Sequence, residues 1–144
     1  MKQIIQNYNT GELSLTEVPV PMLKSNGVLI KTKASLVSAG TEKNMINFAE
    51  KNILAKAISR PDLVKQVIDK IKTEGIKEAY KQATNRLDDP VPLGYSCSGE
   101  VIEVGNNVTS LNVGDRVACS GSGFASHAEV NYVPENLCVK IPEN

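Results

Sequence analysis

Polar and apolar residues alternate along three stretches at the start of the chain, and a period of two is typical of β-strands. The stretches cover residues 3–8, 13–20 and 28–37 and are rich in β-branched residues, which pack well in sheets. Gly11 and Gly27 mark turns between them, and Pro19 and Pro21 stop a hydrogen-bonded ladder from continuing. The pattern predicts three strands, with the second ending near Pro19.

Between residues 43 and 89 the apolar period changes to that of an α-helix. Apolar residues recur there at spacings of three and four, at Leu63, Val64, Val67, Ile68, Ile71, Ile76, Ala79, Tyr80, Ala83 and Leu87. Ser59 is placed to cap the first helix, with Pro61 and Asp62 in its first turn, and Gly75 interrupts the run. We interpret the segment first as a solvated amphipathic helix pair and only second as a lid or a partner surface.

Strand character returns after Gly94, in four short stretches separated by turn-forming residues. These stretches are 99–104, 116–119, 126–132 and 137–141. Several short strands with regular turns indicate a barrel or a sandwich. A chain of 144 residues with 41% hydrophobic residues has room for one compact core. The sequence therefore predicts one domain of β-rich α+β class, with a helical excursion at about 43–89.

Charge and cysteine content narrow the range of partners and compartments. Sixteen Lys and Arg residues balance sixteen Asp and Glu residues, so net charge does not favour nucleic acid or a charged membrane. No apolar run approaches membrane-spanning length, and the first residues lack the apolar core of a signal peptide. Cys97, Cys119 and Cys138 form no Cys-x-x-Cys pair, and we interpret Cys97 and Cys119 as small buried residues. Reduced cysteines predict a cytoplasmic protein.

Several motifs in the second half of the chain stand at a characteristic spacing. They are Pro90-x-x-x-Gly94-Tyr95-Ser96-x-x-Gly99-Glu100-Val101, Glu103-Val104-Gly105-Asn106-Asn107-Val108, Val113-Gly114-Asp115-Arg116-Val117 and Cys138-Val139-Lys140-Ile141-Pro142. With these motifs the chain resembles the medium-chain dehydrogenase/reductase family over its whole length, the helical excursion excepted. The resemblance assigns Gly94 to a turn under the active site. Gly99 is predicted to allow close strand packing, and Gly105 and Gly114 to form turns that require positive φ.

In that family a partly open β-barrel, like that of the GroES co-chaperonin, carries the substrate side, and a following Rossmann domain binds NAD or NADP. The resemblance implies that residues 1–144 form the GroES-like N-terminal domain, with the Rossmann domain expected downstream and absent from this chain. No cofactor-binding residue is expected here. The glycine-rich run from Gly121 to Gly123 leads into a strand pattern, so we interpret it as a loop.

The resemblance implies the substrate-side domain of an NAD(P)-dependent oxidoreductase that acts on an alcohol or a carbonyl, with the isolated chain inactive. The implied partners are a small-molecule substrate and the downstream Rossmann domain, and a homo-oligomeric parent protein is compatible with them. The loop at residues 38–42 and the helical excursion are similar to a subfamily of two-domain oxidoreductases from bacterial polysaccharide gene clusters. The alternative is a stand-alone GroES-like binding or assembly module without redox activity.

Zinc-dependent members of the family hold the metal with a loop cysteine and with a His-Glu pair that follows the glycine. At those positions this chain has Ala39, Tyr95 and Ser96, which do not replace a Cys-His-Glu set at neutral pH. The resemblance therefore predicts a site without metal. Hydroxyl groups can polarise or protonate a carbonyl oxygen instead, and Thr41, Tyr95 and Ser96 are the candidate catalytic residues.

Two of these candidates also have a purely structural interpretation. Thr41 can cap the helix that follows it, with Glu42 in the first turn, and Tyr95 can fill the barrel wall. His127, the only histidine, is predicted to be a surface or half-buried residue of a strand rather than a catalytic group. Arg116 is predicted to be a structural turn residue.

Overall fold

A computed structural model of the chain describes residues 1–7, 10–50, 65 and 90–142. The strands are β1 (Lys2–Asn7), β2 (Leu13–Glu17), β3 (Gly27–Ser35), β4 (Pro90–Pro92), β5 (Ser96–Val104), β6 (Arg116–Ser120), β7 (Val130–Pro134) and β8 (Cys138–Lys140). Helix α1 spans Ala39–Glu50, and a 3₁₀ turn spans Glu135–Leu137. The helices predicted between residues 59 and 87 lie outside the described residues.

The chain divides into two compact units. The first comprises Met1–Ile5, Ser14–Ala39 and Pro92–Asn144, and the second comprises Gln6–Leu13 and Gly40–Val91. The first unit contains the five-stranded sheet, and nearly all of α1 belongs to the second. Two sheets are formed, a smaller one with the strand order β2-β1-β4 and a larger one with the order β7-β3-β5-β6-β8.

The five-stranded sheet is antiparallel throughout, with β3 paired to β5 and β7, and with β6 paired to β5 and β8. Burial alternates along β6 and β7, because successive side chains of a strand point to opposite faces of the sheet. The buried face forms the core, in which Val28, Ile30, Val101, Val117 and Val133 are fully buried. The predicted β-rich class and partly open barrel are confirmed by this curled, strand-rich sheet.

Some element boundaries differ from those that the sequence pattern predicts. The last strands were expected at 126–132 and 137–141, whereas β7 begins at Val130 and a 3₁₀ turn precedes β8. Before β7, Ala128 forms an isolated bridge with Gln3, and the backbone N–H of Ser126 donates to the side chain of Asn131 on β7. Strand β4 was not predicted, because it has a proline at each end and proline is unusual within a hydrogen-bonded ladder. Arg116 is the first residue of β6 and not part of a turn.

The structure tests the predictions for three of the motif glycines, Gly99, Gly105 and Gly114. Gly94 and Gly114 have positive φ, at 101° and 91°. A Cβ on Gly99 would meet the carbonyl oxygen of Lys31 on β3, which confirms close strand packing. Gly105 does not have positive φ, so that prediction is wrong. It is buried, and a Cβ there would run into the backbone carbonyl of Lys24, so close backbone approach is the reason for glycine.

Helix α1 begins earlier than predicted, at Ala39 instead of near residue 43. Thr41 therefore lies inside the first turn of the helix and not at the capping position that precedes it. Glu42 does lie in the first turn, where a carboxylate is favourable near the positive end of the helix dipole. The capping interpretation of Thr41 does not match these helix bounds.

Candidate active site

A bend at Gly94 and Tyr95 leads into β5, and Gly94 packs against His127 in the segment that precedes β7. Gly94 is buried, and its φ of 101° is strained for any residue with a Cβ. A Cβ on Gly94 would lie 2.8 Å from the backbone nitrogen of His127 and 3.0 Å from the ring atoms Cγ and Cδ2. Glycine is thus required here both by the backbone conformation and by the space that His127 fills.

His127 is buried, with 8% of its surface exposed, and lies in a bend before β7. Its N–H donates to the Leu93 carbonyl at 2.8 Å, and its carbonyl accepts the Ile4 N–H at 2.9 Å. Its ring Nδ1 lies 2.8 Å from the hydroxyl oxygen of Ser35, at the end of β3. The prediction of a surface or half-buried strand residue is wrong, because the missing side chain at Gly94 makes room for the ring.

A buried polar network fixes the backbone on either side of His127. Asn131, 3% exposed, accepts hydrogen bonds through Oδ1 from the backbone N–H of Ser126 at 3.2 Å and from its hydroxyl at 2.7 Å. The Asn131 Nδ2 donates to the Ser126 carbonyl at 3.0 Å and to the Thr32 hydroxyl at 3.0 Å. Gln3 donates in turn to the Ser126 hydroxyl at 3.1 Å. A buried network with its partners in place is rigid, so it holds His127 against the turn.

A shallow hollow of about 260 Å³ lies beside this histidine and opens to solvent. Its lining residues are Lys2, Ile4, Leu15, Ser35, His127, Ala128 and Glu129. The carboxylate of Glu129 accepts a hydrogen bond from the backbone N–H of Lys2 at 2.7 Å, which connects two of the lining residues. Ser35, whose hydroxyl contacts the imidazole, is exposed at the end of β3. The lining surface of the hollow is mainly apolar, and its polar lining residues are Lys2, Ser35, His127 and Glu129.

The candidates Tyr95 and Ser96 directly follow the Gly94 turn, and both are half-buried. The Tyr95 carbonyl accepts the N–H of Gly121 at 2.8 Å, and the Ser96 carbonyl accepts the N–H of Leu36 at 3.0 Å. Through these carbonyl hydrogen bonds, Tyr95 and Ser96 are connected to different segments of the chain. Leu36 and its neighbour Val37 are exposed, at 61% and 67%, although both are apolar.

The candidate Thr41 is an exposed residue of α1 and belongs to the second compact unit. Its meeting with Tyr95 at one substrate oxygen stays a prediction. Its neighbour Glu42 is buried, with 6% of its surface exposed.

Cys97 and Cys119 are each 4% exposed, which confirms that they are small buried residues. Across the described parts of the chain, no group of three or more His, Cys, Asp and Glu residues is arranged to hold a metal ion. Within the same parts, no helix combines the length and the apolar character needed to cross a membrane.

Comparison with known proteins gives a family match and several relatives. The profile of a family described as the alcohol dehydrogenase GroES-like domain matches residues 53–143. The chain is similar to the probable D-xylulose reductase A of Aspergillus clavatus, at 36% identity over 85 residues, or 40% of this chain and 24% of that protein. It is also similar to the L-threonine 3-dehydrogenase of Bacillus licheniformis, at 27% identity over 118 residues, or 82% of this chain and 25% of that protein.

Among solved structures, the fold is similar to the Escherichia coli quinone oxidoreductase complexed with NADPH. The TM-score is 0.65 at 15% identity, and the match covers 99% of this chain and 33% of that one. At this identity the likeness concerns the fold alone. The chain spans about a quarter of the length of the two curated relatives.

Proposed function

Since the chain belongs to the alcohol dehydrogenase GroES-like domain family, we propose that it forms the substrate-side domain of an NAD(P)-dependent oxidoreductase acting on an alcohol or a carbonyl. The observation that carries the proposal is the buried turn at Gly94, which is followed directly by the hydroxyl side chains of Tyr95 and Ser96. The relatives named as a reductase and a dehydrogenase support the same reaction class.

In this proposal the protein's own hydroxyl groups act on the substrate oxygen. When held by a neighbouring Rossmann domain, a reduced nicotinamide would supply a hydride to a carbonyl carbon. Hydrogen-bond donors of this chain would then stabilise the negative charge on the carbonyl oxygen. We assign this role to the Tyr95 phenol, with Ser96 as a second donor and Thr41 as a relay to solvent. The half-buried state of Tyr95 and the exposed state of Thr41 suit these two tasks.

We also propose that this site works without zinc. The family's zinc ligands correspond here to Ala39, Tyr95 and Ser96. Alanine has no donor atom, and neutral phenol and hydroxyl groups are poor zinc ligands beside thiolate and imidazole. The donor set does not fit the metal, so no step is assigned to it.

The partners that we propose are a small-molecule substrate and a Rossmann domain that carries NAD or NADP. The NADPH complex of the Escherichia coli quinone oxidoreductase, which shares the fold, supports a nicotinamide in the parent protein. Free cysteines at 97, 119 and 138 support a cytoplasmic location, where thiols are kept reduced.

The test is a nicotinamide oxidation assay on the full-length protein that contains this chain, with a panel of aldehydes, ketones and quinones. We expect turnover, and we expect Tyr95→Phe to lower kcat/KM by about 10²- to 10⁴-fold while leaving Tm nearly unchanged. Tyr132→Phe is the matched control, because Tyr132 is also half-buried but lies on β7. A full-length protein that neither binds nor oxidises a nicotinamide would support the stand-alone module instead.

A further inference from the structure

Three cysteine thiols lie in a row across three neighbouring strands of the five-stranded sheet. Cys97 on β5 is the register partner of Cys119 on β6, and Cys119 is the register partner of Cys138 on β8. The first two are buried and Cys138 is half-buried. Cys119 therefore has a possible disulfide partner on either side, and the strand geometry decides between them.

The pair Cys119–Cys138 occupies a non-hydrogen-bonded position of the β6–β8 ladder. The Ile141 N–H donates to the Arg116 carbonyl at 2.8 Å, which makes those two residues a hydrogen-bonded pair. Hydrogen-bonded and non-hydrogen-bonded pairs alternate along an antiparallel ladder, so Cys119 and Cys138 fall on a non-hydrogen-bonded pair. Both kinds of pair have Cα spacings within the span of about 4.4–6.8 Å that a disulfide bridges, but the side chains lie closer together at a non-hydrogen-bonded pair.

The pair Cys97–Cys119 occupies the other kind of position. The Gly121 N–H donates to the Tyr95 carbonyl at 2.8 Å, which makes them a hydrogen-bonded pair. Two residues further along, Cys97 and Cys119 are again a hydrogen-bonded pair, whose side chains stand farther apart. The Sγ atoms of Cys119 and Cys138 are 3.7 Å apart and in hydrogen-bond contact, and the Cys119 thiol also interacts with that of Cys97.

We propose that Cys119 and Cys138 form a dithiol modification site, which oxidants of the peroxide class close into a disulfide between β6 and β8 while Cys97 stays a thiol. Cys138 reacts first, because it is the more exposed of the two. Its thiolate attacks a peroxide oxygen, the O–O bond breaks, and the displaced hydroxide takes up a proton to leave as water. The product is a Cys138 sulfenic acid.

The Cys119 sulfur then attacks the Cys138 sulfur, so that the S–S bond forms and the S–O bond breaks. The hydroxyl leaves with the Cys119 proton as a second water. The two thiols have together given two electrons to the peroxide. Hydrogen bonds from the Cys119 thiol lower the pKa of Cys138 and also that of Cys97, and the contact with Cys138 raises the pKa of Cys119. Exposure separates the two thiols with lowered pKa, because Cys138 is half-buried and Cys97 is buried. We therefore assign Cys138 as the attacking thiolate and Cys119 as the resolving thiol.

This disulfide would link the edge strand β8 covalently to β6. Strand β8 is the last strand in the order β7-β3-β5-β6-β8, and it is bound to the sheet through β6. Its pairing comprises three residue pairs, of which Cys119–Cys138 is one. A covalent link at this pair would therefore hold β8 in place after oxidation and release it after reduction.

Peptide mapping of the peroxide-treated native chain tests the proposal. The reduced protein is treated with a small excess of hydrogen peroxide, remaining thiols are alkylated, and tryptic peptides are analysed without reduction. Trypsin leaves Cys119 and Cys138 on one peptide, residues 117–140, and leaves Cys97 on the preceding peptide, which ends at Arg116. We expect peptide 117–140 to lose the mass of two hydrogens and to stay joined after further cleavage at Glu129, with Cys97 alkylated.

Other patterns would overturn the proposal. These are a crosslink that joins the Cys97 peptide to peptide 117–140, a disulfide-linked dimer of two chains, sulfinic or sulfonic acids without a crosslink, and three unmodified thiols. Cys138→Ser should abolish the loss of mass, and Cys97→Ser is the matched control that should keep it. Should the control variant fail to fold, the peptide map of the unsubstituted chain decides alone, since it distinguishes the two possible crosslinks.

Discussion

Replacing Gly94 by alanine tests whether the turn under the candidate site depends on its contact with His127. The variant adds a single methyl group to a buried position. That methyl would meet the His127 backbone nitrogen at 2.8 Å and its ring at 3.0 Å, and the residue would have to keep a φ of 101°. We expect a larger loss of stability than at a glycine where only the backbone conformation, and no neighbouring atom, opposes alanine.

Two costs add up at this position. Holding alanine at positive φ costs about 1–2 kcal/mol, because its Cβ approaches a carbonyl oxygen. The contact with His127 adds about 1–3 kcal/mol, because a backbone nitrogen cannot rotate away as the end of a side chain could. The sum of about 2–5 kcal/mol is a large part of the roughly 5–15 kcal/mol by which a domain of this size is stable.

Gly114→Ala is the matched control. Gly114 also has positive φ, at 91°, but a Cβ there would meet no heavy atom within 4 Å. Its replacement should therefore cost only the conformational share of about 1–2 kcal/mol. Urea unfolding followed by circular dichroism measures both variants, since the chain has no tryptophan to report by fluorescence. Equal losses for the two variants would refute the packing of His127 on Gly94.

Two further predictions concern metal content and pH. Elemental analysis of the purified chain should find no stoichiometric zinc, and one zinc per chain would contradict the proposed hydroxyl site. Hydrogen bonds from the Ser110 hydroxyl and from the backbone of Ser110 and Thr109 lower the pKa of Glu135. The stability that this carboxylate contributes is present above its unfolded-state pKa and is lost as pH falls through the lowered pKa. The free energy of unfolding, measured by urea at several pH values, should therefore fall less steeply toward acid pH in Glu135→Gln than in the unsubstituted chain. An unchanged pH dependence would show that the hydrogen bonds to Glu135 contribute nothing to stability.

Strand β6 is predicted well from the sequence because its burial alternates. On β6, Val117 and Cys119 are buried while their neighbours are exposed, so the period of two is visible in the residues themselves. The strand predicted at 126–132 begins at Val130, although Ala128 forms an isolated bridge with Gln3. Ser126 is instead bonded to the side chain of Asn131 within the core, and a side-chain partner leaves no periodic signal in the sequence.

The candidate site shows the same limit. Tyr95 and Ser96 could be associated with the turn because they follow Gly94 in the sequence. His127 could not, because its burial depends on space that a glycine distant along the chain leaves open. The sequence did contain one half of the signal, a glycine whose backbone conformation excludes side chains. The other half, the residue that fills the space, depends on tertiary packing.

A site that relies on hydroxyl groups instead of a metal needs those groups held to within a fraction of an ångström. The backbone of Tyr95 is bonded to Gly121 on one side, and Gly94 on its other side packs against His127. An alanine at 94 should therefore displace the phenol as well as destabilise the fold. These effects can be separated, because a variant that retains about 2 kcal/mol of stability is still almost entirely folded. In the full-length protein, Gly94→Ala should lower kcat/KM about 10²-fold, far more than its folded fraction falls. Activity that only followed the folded fraction would show that the turn does not position Tyr95.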